Sequence, residues 1–288
     1  MTDAVPEARQ NRKKTVAGAL YFPLQARISI EQEVSLCRFY PFKHIARRMR
    51  DPVVNHRQRL IYFPIPKSAC TTFTTFLAIT DPDVLGFNSQ TEGIHTFRNR
   101  TKSIRLNNFR LLLSDEYHRF TVIRRPYERL LSAYLDKIVK PKRSRAVMVT
   151  EKDDPSFQDL VYWIYTVPDH RIEEHFRPQT TFIRHVPFDH IGLFDDLEST
   201  FRWLEQRTSI NPEQLLENRI HSPKRTKYGE SQPVKTPPYA MKASELASLA
   251  SFPASEQFFA DHLASLVNRR FEQDLKLYNV VKEASQAS

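Results

Sequence analysis

Two short groups of residues carry the types and spacing that could hold an anion. In the first, Lys67 is followed by Ser68, Ala69, Cys70, Thr71 and Thr72, all small and several bearing hydroxyls. A backbone built from such residues can approach a ligand closely, and the lysine adds a positive charge. In the second, Arg124 precedes Ser132 by eight positions. A guanidinium matches phosphate or sulfate oxygens in a forked geometry. Held together, the two groups would make a phosphate or sulfate cradle.

The flanking residues indicate what must position them. Leu60 to Ile65 is an apolar run of β-branched and aromatic residues, as expected of a strand covered on both faces, and Pro64 and Pro66 end its pairing. A helix is expected over 71–79, stopped by Asp81-Pro82-Asp83. Its first turn would present free N–H groups and a partial positive charge to an anion. Alone, this stretch reads equally well as a strand, loop and helix with a solvated lysine. The nucleotide loop GxxxxGK ending in Ser or Thr is absent, and no glycine occurs between Arg59 and Gly86. The second stretch repeats the plan: a strand over 120–123, then a helix with Pro126 at its first position. Tyr127, Leu130, Leu131, Tyr134, Leu135 and Ile138 share one apolar face, and Ser132 lies off it, free to converge with Arg124 on one anion.

Taken together, these stretches resemble the sulfotransferases whose donor is 3′-phosphoadenosine 5′-phosphosulfate, in particular the Golgi carbohydrate sulfotransferases and their bacterial relatives. Pro66-Lys67-Ser68-Ala69-Cys70-Thr71-Thr72 is similar to that family's 5′-phosphosulfate loop, and Arg124 to Tyr134 to its 3′-phosphate motif. A third segment, Glu174-His175-Phe176-Arg177-Pro178-Gln179 with Asp189 to Leu197 after it, resembles the family's HWxPQ segment and its later strand and acidic turn. The resemblance covers roughly residues 59–205 and, more weakly, the end of the chain.

The resemblance implies an α/β, three-layer P-loop NTPase-like fold with a central parallel sheet flanked by helices. It implies donor contacts from Lys67, Ser68, Ala69, Cys70, Thr71, Thr72, Arg124 and Ser132. Lys224 and Arg225, in a late basic segment, would close over the nucleotide or else form a solvated charge run. Lys67 would stabilise the charge developing on the leaving phosphate. His95, between the donor motifs, stands ahead as general base, with His175 the competing candidate. No metal is required. The expected reaction is in-line transfer of a sulfuryl group to an acceptor hydroxyl on a carbohydrate or glycan. A nucleotide-dependent phosphotransferase and a non-catalytic glycan-binding protein remain the rivals. Arg125, Thr72 and the missing cysteine pair near Phe182 to Val186 depart from the family's usual pattern. They bear on the acceptor more than on the donor.

Composition agrees with this reading. The 288 residues carry a net charge of +10, with 43 Lys+Arg against 33 Asp+Glu. That suits an anionic donor and an acidic acceptor. A nucleic-acid partner is not expected, because zinc patterns, RNA-binding aromatic motifs and continuous basic helices are missing. Cys37 and Cys70 are the two cysteines, which points away from a disulfide framework and toward a soluble cytoplasmic protein, and the resemblance to the family's bacterial members implies a bacterial origin. Ala17 to Leu24 is too short for a signal core or a membrane span.

The expected organisation is an N-terminal extension and edge helix over 1–55, a sulfotransferase domain over 56–280 and a disordered tail over 281–288. Within the domain, 140–155 reads as a mobile loop over the acceptor site and most of 221–253 as extended loop. Helices are expected over 155–165 and from Leu197 onward, with a strand over 188–194. One closing helix is expected from Glu256 to Tyr278. Trp163 and Tyr165 read first as core residues and second as sugar-stacking ones.

Overall fold

The computed structural model describes residues 52–81, 114–140, 150–183, 186–217 and 236–286. Among the described residues four strands form one sheet in chain order: β1 (Val53–Asn55), β2 (Leu60–Phe63), β3 (His118–Ile123) and β4 (His190–Leu193). β2, β3 and β4 run parallel, whereas β1 is antiparallel to β2. The sheet is therefore mostly parallel, and the expected parallel strands carry one reversed strand at the edge. A three-residue strand is too short to show a period, and the reversal is made within four residues, where Arg59 takes a φ of 52°.

The helices in chain order are α1 (Cys70–Thr80), α2 (Pro126–Tyr134), α3 (Phe157–Thr166), the one-turn α4 (Thr180–Ile183), α5 (Leu197–Thr208), α6 (Pro212–Glu217), α7 (Ala243–Ala247), α8 (Asp261–Arg270) and α9 (Glu272–Gln286). α2 continues into a π-helical turn, Leu135–Val139. α3 starts on a capping box in which Ser156 and Asp159 satisfy each other's backbone N–H groups. Among the described residues no helix is long and apolar enough to cross a membrane.

Alternate side chains of the strands enter separate cores. Leu60, Tyr62, Phe120 and Val122 pack with Phe73, Phe76 and Leu77 of α1, Leu204 of α5 and Leu216 of α6. Ile61, Phe63, Ile123, Ile191 and Leu193 pack with Phe182 of α4 and with Leu277, Tyr278 and Val281 of α9. A third core lies beside the sheet, where α2, its π-helical turn, α3 and α8 meet around Leu131, Tyr134, Phe157, Leu160 and Val267. Trp163 packs against this third core, as a core residue should, while Tyr165 stands exposed.

The single closing helix expected over 256–278 is instead a 3₁₀ turn, Ser255–Phe258, followed by α8 and α9, with a break at Phe271. The break has a packing reason: Phe271 is buried in the third core, and the three residues that α9 buries as hydrophobic anchors belong to the core under the sheet. One straight helix could not serve both. α9 runs on to Gln286, past the boundary expected at residue 280.

Candidate active site

The carboxyl ends of β2 and β3 lie side by side, because the two strands are parallel and in register from Leu60 opposite His118 to Phe63 opposite Thr121. Ligands of open α/β sheets gather in the crevice outside such ends. After Phe63 the chain turns through Lys67 and Ala69, both in the left-handed region with φ of 67° and 55°. Each such turn of a residue with a Cβ costs about 1–2 kcal/mol, a strain typical of functional loops. Ala69 caps α1 without a side-chain acceptor, and the first turn of that helix contains no acidic residue. Neither the cap nor the first turn of α1 thus supplies an anion to the N–H groups there.

Lys67 Nζ lies 3.4 Å from Asp136 Oδ2, and Lys137 Nζ lies 3.0 Å from the same oxygen. Burial lowers the Lys67 ammonium below the usual lysine range, with Asp136 opposing that shift. Burial works in the opposite sense on Asp136, but Lys67 and Lys137 hold its carboxyl below the usual carboxylate range. Asp136 sits in the π-helical turn, closed by the bond from Lys140 N–H to the Leu135 carbonyl at 3.1 Å. Such turns recur at functional sites.

Arg124 leaves the end of β3, donates from Nη1 to the Lys67 carbonyl at 3.4 Å and stacks its guanidinium 4.2 Å from the centre of the Phe194 ring. The two motifs are further tied by Gln179. Its Oε1 accepts from Arg124 N–H at 2.9 Å and from Ser68 Oγ at 3.3 Å, and its Nε2 donates to the Arg124 carbonyl at 2.7 Å. Gln179 is itself held by Asp274 of α9, which accepts from the N–H groups of Gln179 and Thr180 at 2.6 and 2.9 Å. Burial pushes the Asp274 carboxyl upward, against the pull of those N–H groups and of Arg129. Arg129, fully buried, donates to the carbonyl of Pro66 at 2.9 Å and to that of Arg177 at 2.7 Å.

The residues expected to form the site divide as follows. Lys67, Ser68 and Arg124 come together, Ser68 fully buried. Ala69, Cys70 and Thr72 are half-buried and Thr71 exposed at the open start of α1. Ser132 is half-buried on α2, and its hydroxyl makes no hydrogen bond among the described residues. His175 is half-buried in the loop before α4, paired with Glu173. His95, Lys224 and Arg225 lie outside the described residues. Arg125 is exposed and paired with Glu128 at 3.3 Å.

Four residues that organise the site were assigned no role from sequence: Arg129, Asp136, Gln179 and Asp274. Arg129 and Gln179 stand inside the quoted motifs and could have been asked about. Asp136 adjoins the end of one motif. Asp274 gives no local signal, since it lies between Gln273 and Leu275 where polar and apolar residues alternate at the start of α9. Glu173, Glu174 and His175 bring oxygen and nitrogen atoms within 4.8 Å of one another. Their consecutive positions and the bond between Glu173 and His175 account for that closeness.

A family model described as the Sulfotransferase family matches residues 50–279. The chain is similar to Carbohydrate sulfotransferase 11 of Mus musculus, 24% identical over 237 residues, which cover 67% of this chain and 66% of that protein. It is also similar to Carbohydrate sulfotransferase 14 of Homo sapiens, 26% identical over 173 residues, which cover 52% of this chain and 44% of that protein. The chain therefore spans somewhat under two thirds of the first of these relatives and less than half of the second. Both are mammalian and lend no support to the bacterial origin expected from the sequence. No solved structure matches the chain.

Proposed function

Because the chain belongs to the sulfotransferase family, we propose that it moves the sulfuryl group of 3′-phosphoadenosine 5′-phosphosulfate to an acceptor hydroxyl, on a carbohydrate, by metal-free in-line transfer. The observation that carries this reading is the cross-bracing of two anion-binding groups at adjacent parallel strand ends: Arg124 to the Lys67 carbonyl, and Gln179 to both. The mainly parallel sheet between two helical layers supports reading the scaffold as a three-layer P-loop NTPase-like fold, with the domain over 56–280.

In this reading the Lys67 loop and the start of α1 receive the 5′-phosphosulfate, and Arg124 with Ser132 holds the 3′-phosphate. Arg124 has its guanidinium plane fixed by Phe194 and its backbone fixed by Gln179, so little freedom is lost when phosphate arrives. Sulfuryl transfer forms one O–S bond as the bond from sulfur to the bridging oxygen breaks, and negative charge grows on the leaving phosphate. Lys67 and the helix start place fixed positive charge there. These groups supply the stabilisation that a metal supplies in other transfers. His95 or His175 takes the acceptor's proton. The names of the two relatives support a carbohydrate acceptor, and the net charge of +10 supports an acidic one. A reducing compartment fits the free thiol of Cys70 in the donor loop.

The reading is tested by following label from the ³⁵S-labelled donor into a panel of desulfated acidic polysaccharides, with magnesium replaced by EDTA. Label in the polysaccharide fraction supports it. Magnesium-dependent ATP hydrolysis with no sulfuryl transfer would instead favour a phosphotransferase.

A further inference from the structure

We propose that Glu173 is the positioning residue for His175, and that this pair, rather than His95, takes the proton from the acceptor hydroxyl. The inference rests on the sulfotransferase reading and deepens it by naming the base and the group that aims it.

Both oxygens of Glu173 are used on one residue. Oε1 meets His175 Nδ1 at 2.7 Å and Oε2 accepts from His175 N–H at 2.8 Å. The imidazole is thereby fixed at its ring and at its backbone. A carboxylate facing Nδ1 requires a proton on that nitrogen, which leaves the Nε2 lone pair as the base of the neutral ring. Nε2 makes no hydrogen bond among the described residues.

The turn that carries the pair is anchored to the donor loop. Arg177 Nε donates to the Ile172 carbonyl at 2.5 Å, closing the turn. Arg129 donates to the Arg177 carbonyl with one nitrogen and to that of Pro66, beside Lys67, with another. The charges tie the same groups together, because Lys137 shares Asp136 with Lys67 and also acts on Glu173. Burial opposes ionisation of Glu173, but His175 and Lys137 hold its carboxyl below the usual range, and Glu174 is the adjacent acidic residue. The carboxylate therefore stays charged at neutral pH and can stabilise an imidazolium.

The step balances without a further reactant. The acceptor oxygen bonds to sulfur, and the bond from sulfur to the bridging oxygen breaks with its electron pair staying on the 5′-phosphate. The hydroxyl proton passes to Nε2 and is later lost to water. A carboxylate on the far nitrogen favours the protonated ring as it forms.

The test compares wild type with Glu173→Gln, Glu173→Asp, His175→Ala and His95→Ala. The measurements are ³⁵S transfer to the polysaccharide panel over a range of pH, imidazole ¹⁵N spectra in EDTA, and calorimetry with 3′-phosphoadenosine 5′-phosphate. His175→Ala should lower turnover by about a hundredfold to ten-thousandfold. Glu173→Gln should lower it by about tenfold to a hundredfold, leave the donor KM unchanged and move the acidic limb of the rate profile to lower pH. Glu173→Asp should recover part of the loss, and the wild-type ring should be protonated at Nδ1. An unchanged rate and profile in Glu173→Gln would overturn the proposal. So would loss of transfer in His95→Ala with transfer kept in His175→Ala. Calorimetry separates the two levels: if wild type fails to bind the bisphosphate, the sulfotransferase reading itself has failed; if it binds normally and Glu173→Gln is silent, only the pair's role has failed.

Discussion

Lys67 carries two opposed demands, since burial favours its neutral form and the proposed chemistry needs its charge. Asp136 resolves them by holding a negative oxygen 3.4 Å away. Replacing Lys67 with Ala should lower turnover by about a hundredfold to a thousandfold, read from transfer at saturating donor. Replacing Asp136 with Asn removes the group that raises the Lys67 pKa against burial. The ammonium should then deprotonate at lower pH, so the alkaline limb of the rate profile should move down, a shift that the profile measures directly. Lys67 and Arg124 were legible in the sequence because each ends an apolar run and begins a helical pattern. Asp136, Gln179 and Asp274 were not, because their partners lie 69, 55 and 95 positions away for the bonds to Lys67, Arg124 and Gln179. No local pattern reports a contact of that range.

At the scale of elements, the packing of β4 on α5 leaves no spare room. A Cβ placed on Gly192 would meet Thr200 Oγ1 at 1.9 Å, within β4, whose other side must stay paired with β3. Gly192→Ala should cost about 1–3 kcal/mol in urea unfolding, and adding Thr200→Ala should recover part of it. The same interface holds the half-buried His190, stacked at 4.8 Å on Trp203 and bonded to Thr200 at 3.1 Å. Burial first, then the charge of Arg207, lowers its pKa to about 4. The folded form therefore resists protonation that the unfolded chain accepts. Stability is whole above about pH 6.5, the ordinary histidine value, and declines by up to about 3 kcal/mol as pH falls to about 4. Urea unfolding across that range should show the decline, and His190→Gln should flatten it. Strands and helices with a strong apolar period were legible: α1, α2 and α3 begin within two residues of expectation. The reversed β1, the π-helical turn and the break at Phe271 were not, since each depends on which core the neighbouring residues enter.

At the scale of the molecule, three cores converge on one crevice. The core above the sheet seats α1, the core below it seats α9 and hence Asp274, and the third core seats α2 with Arg129 and Asp136. The two motifs are thus braced from every layer, which explains why segments far apart in sequence share one site. If the acceptor is the acidic carbohydrate proposed above, the excess of positive charge predicts that acceptor KM rises with salt, more steeply than donor KM, because an extended acidic chain would meet more exposed charge than the donor phosphates would. Transfer rates between low and physiological ionic strength check this. The central claim, that Lys67 and Arg124 together form a site for a 3′-phosphorylated adenine nucleotide, is tested most directly by calorimetric binding of 3′-phosphoadenosine 5′-phosphate against 5′-AMP, ADP and ATP. Binding of the bisphosphate far tighter than 5′-AMP, with that preference lost in Arg124→Ala, is the predicted result; binding no tighter than 5′-AMP would contradict it.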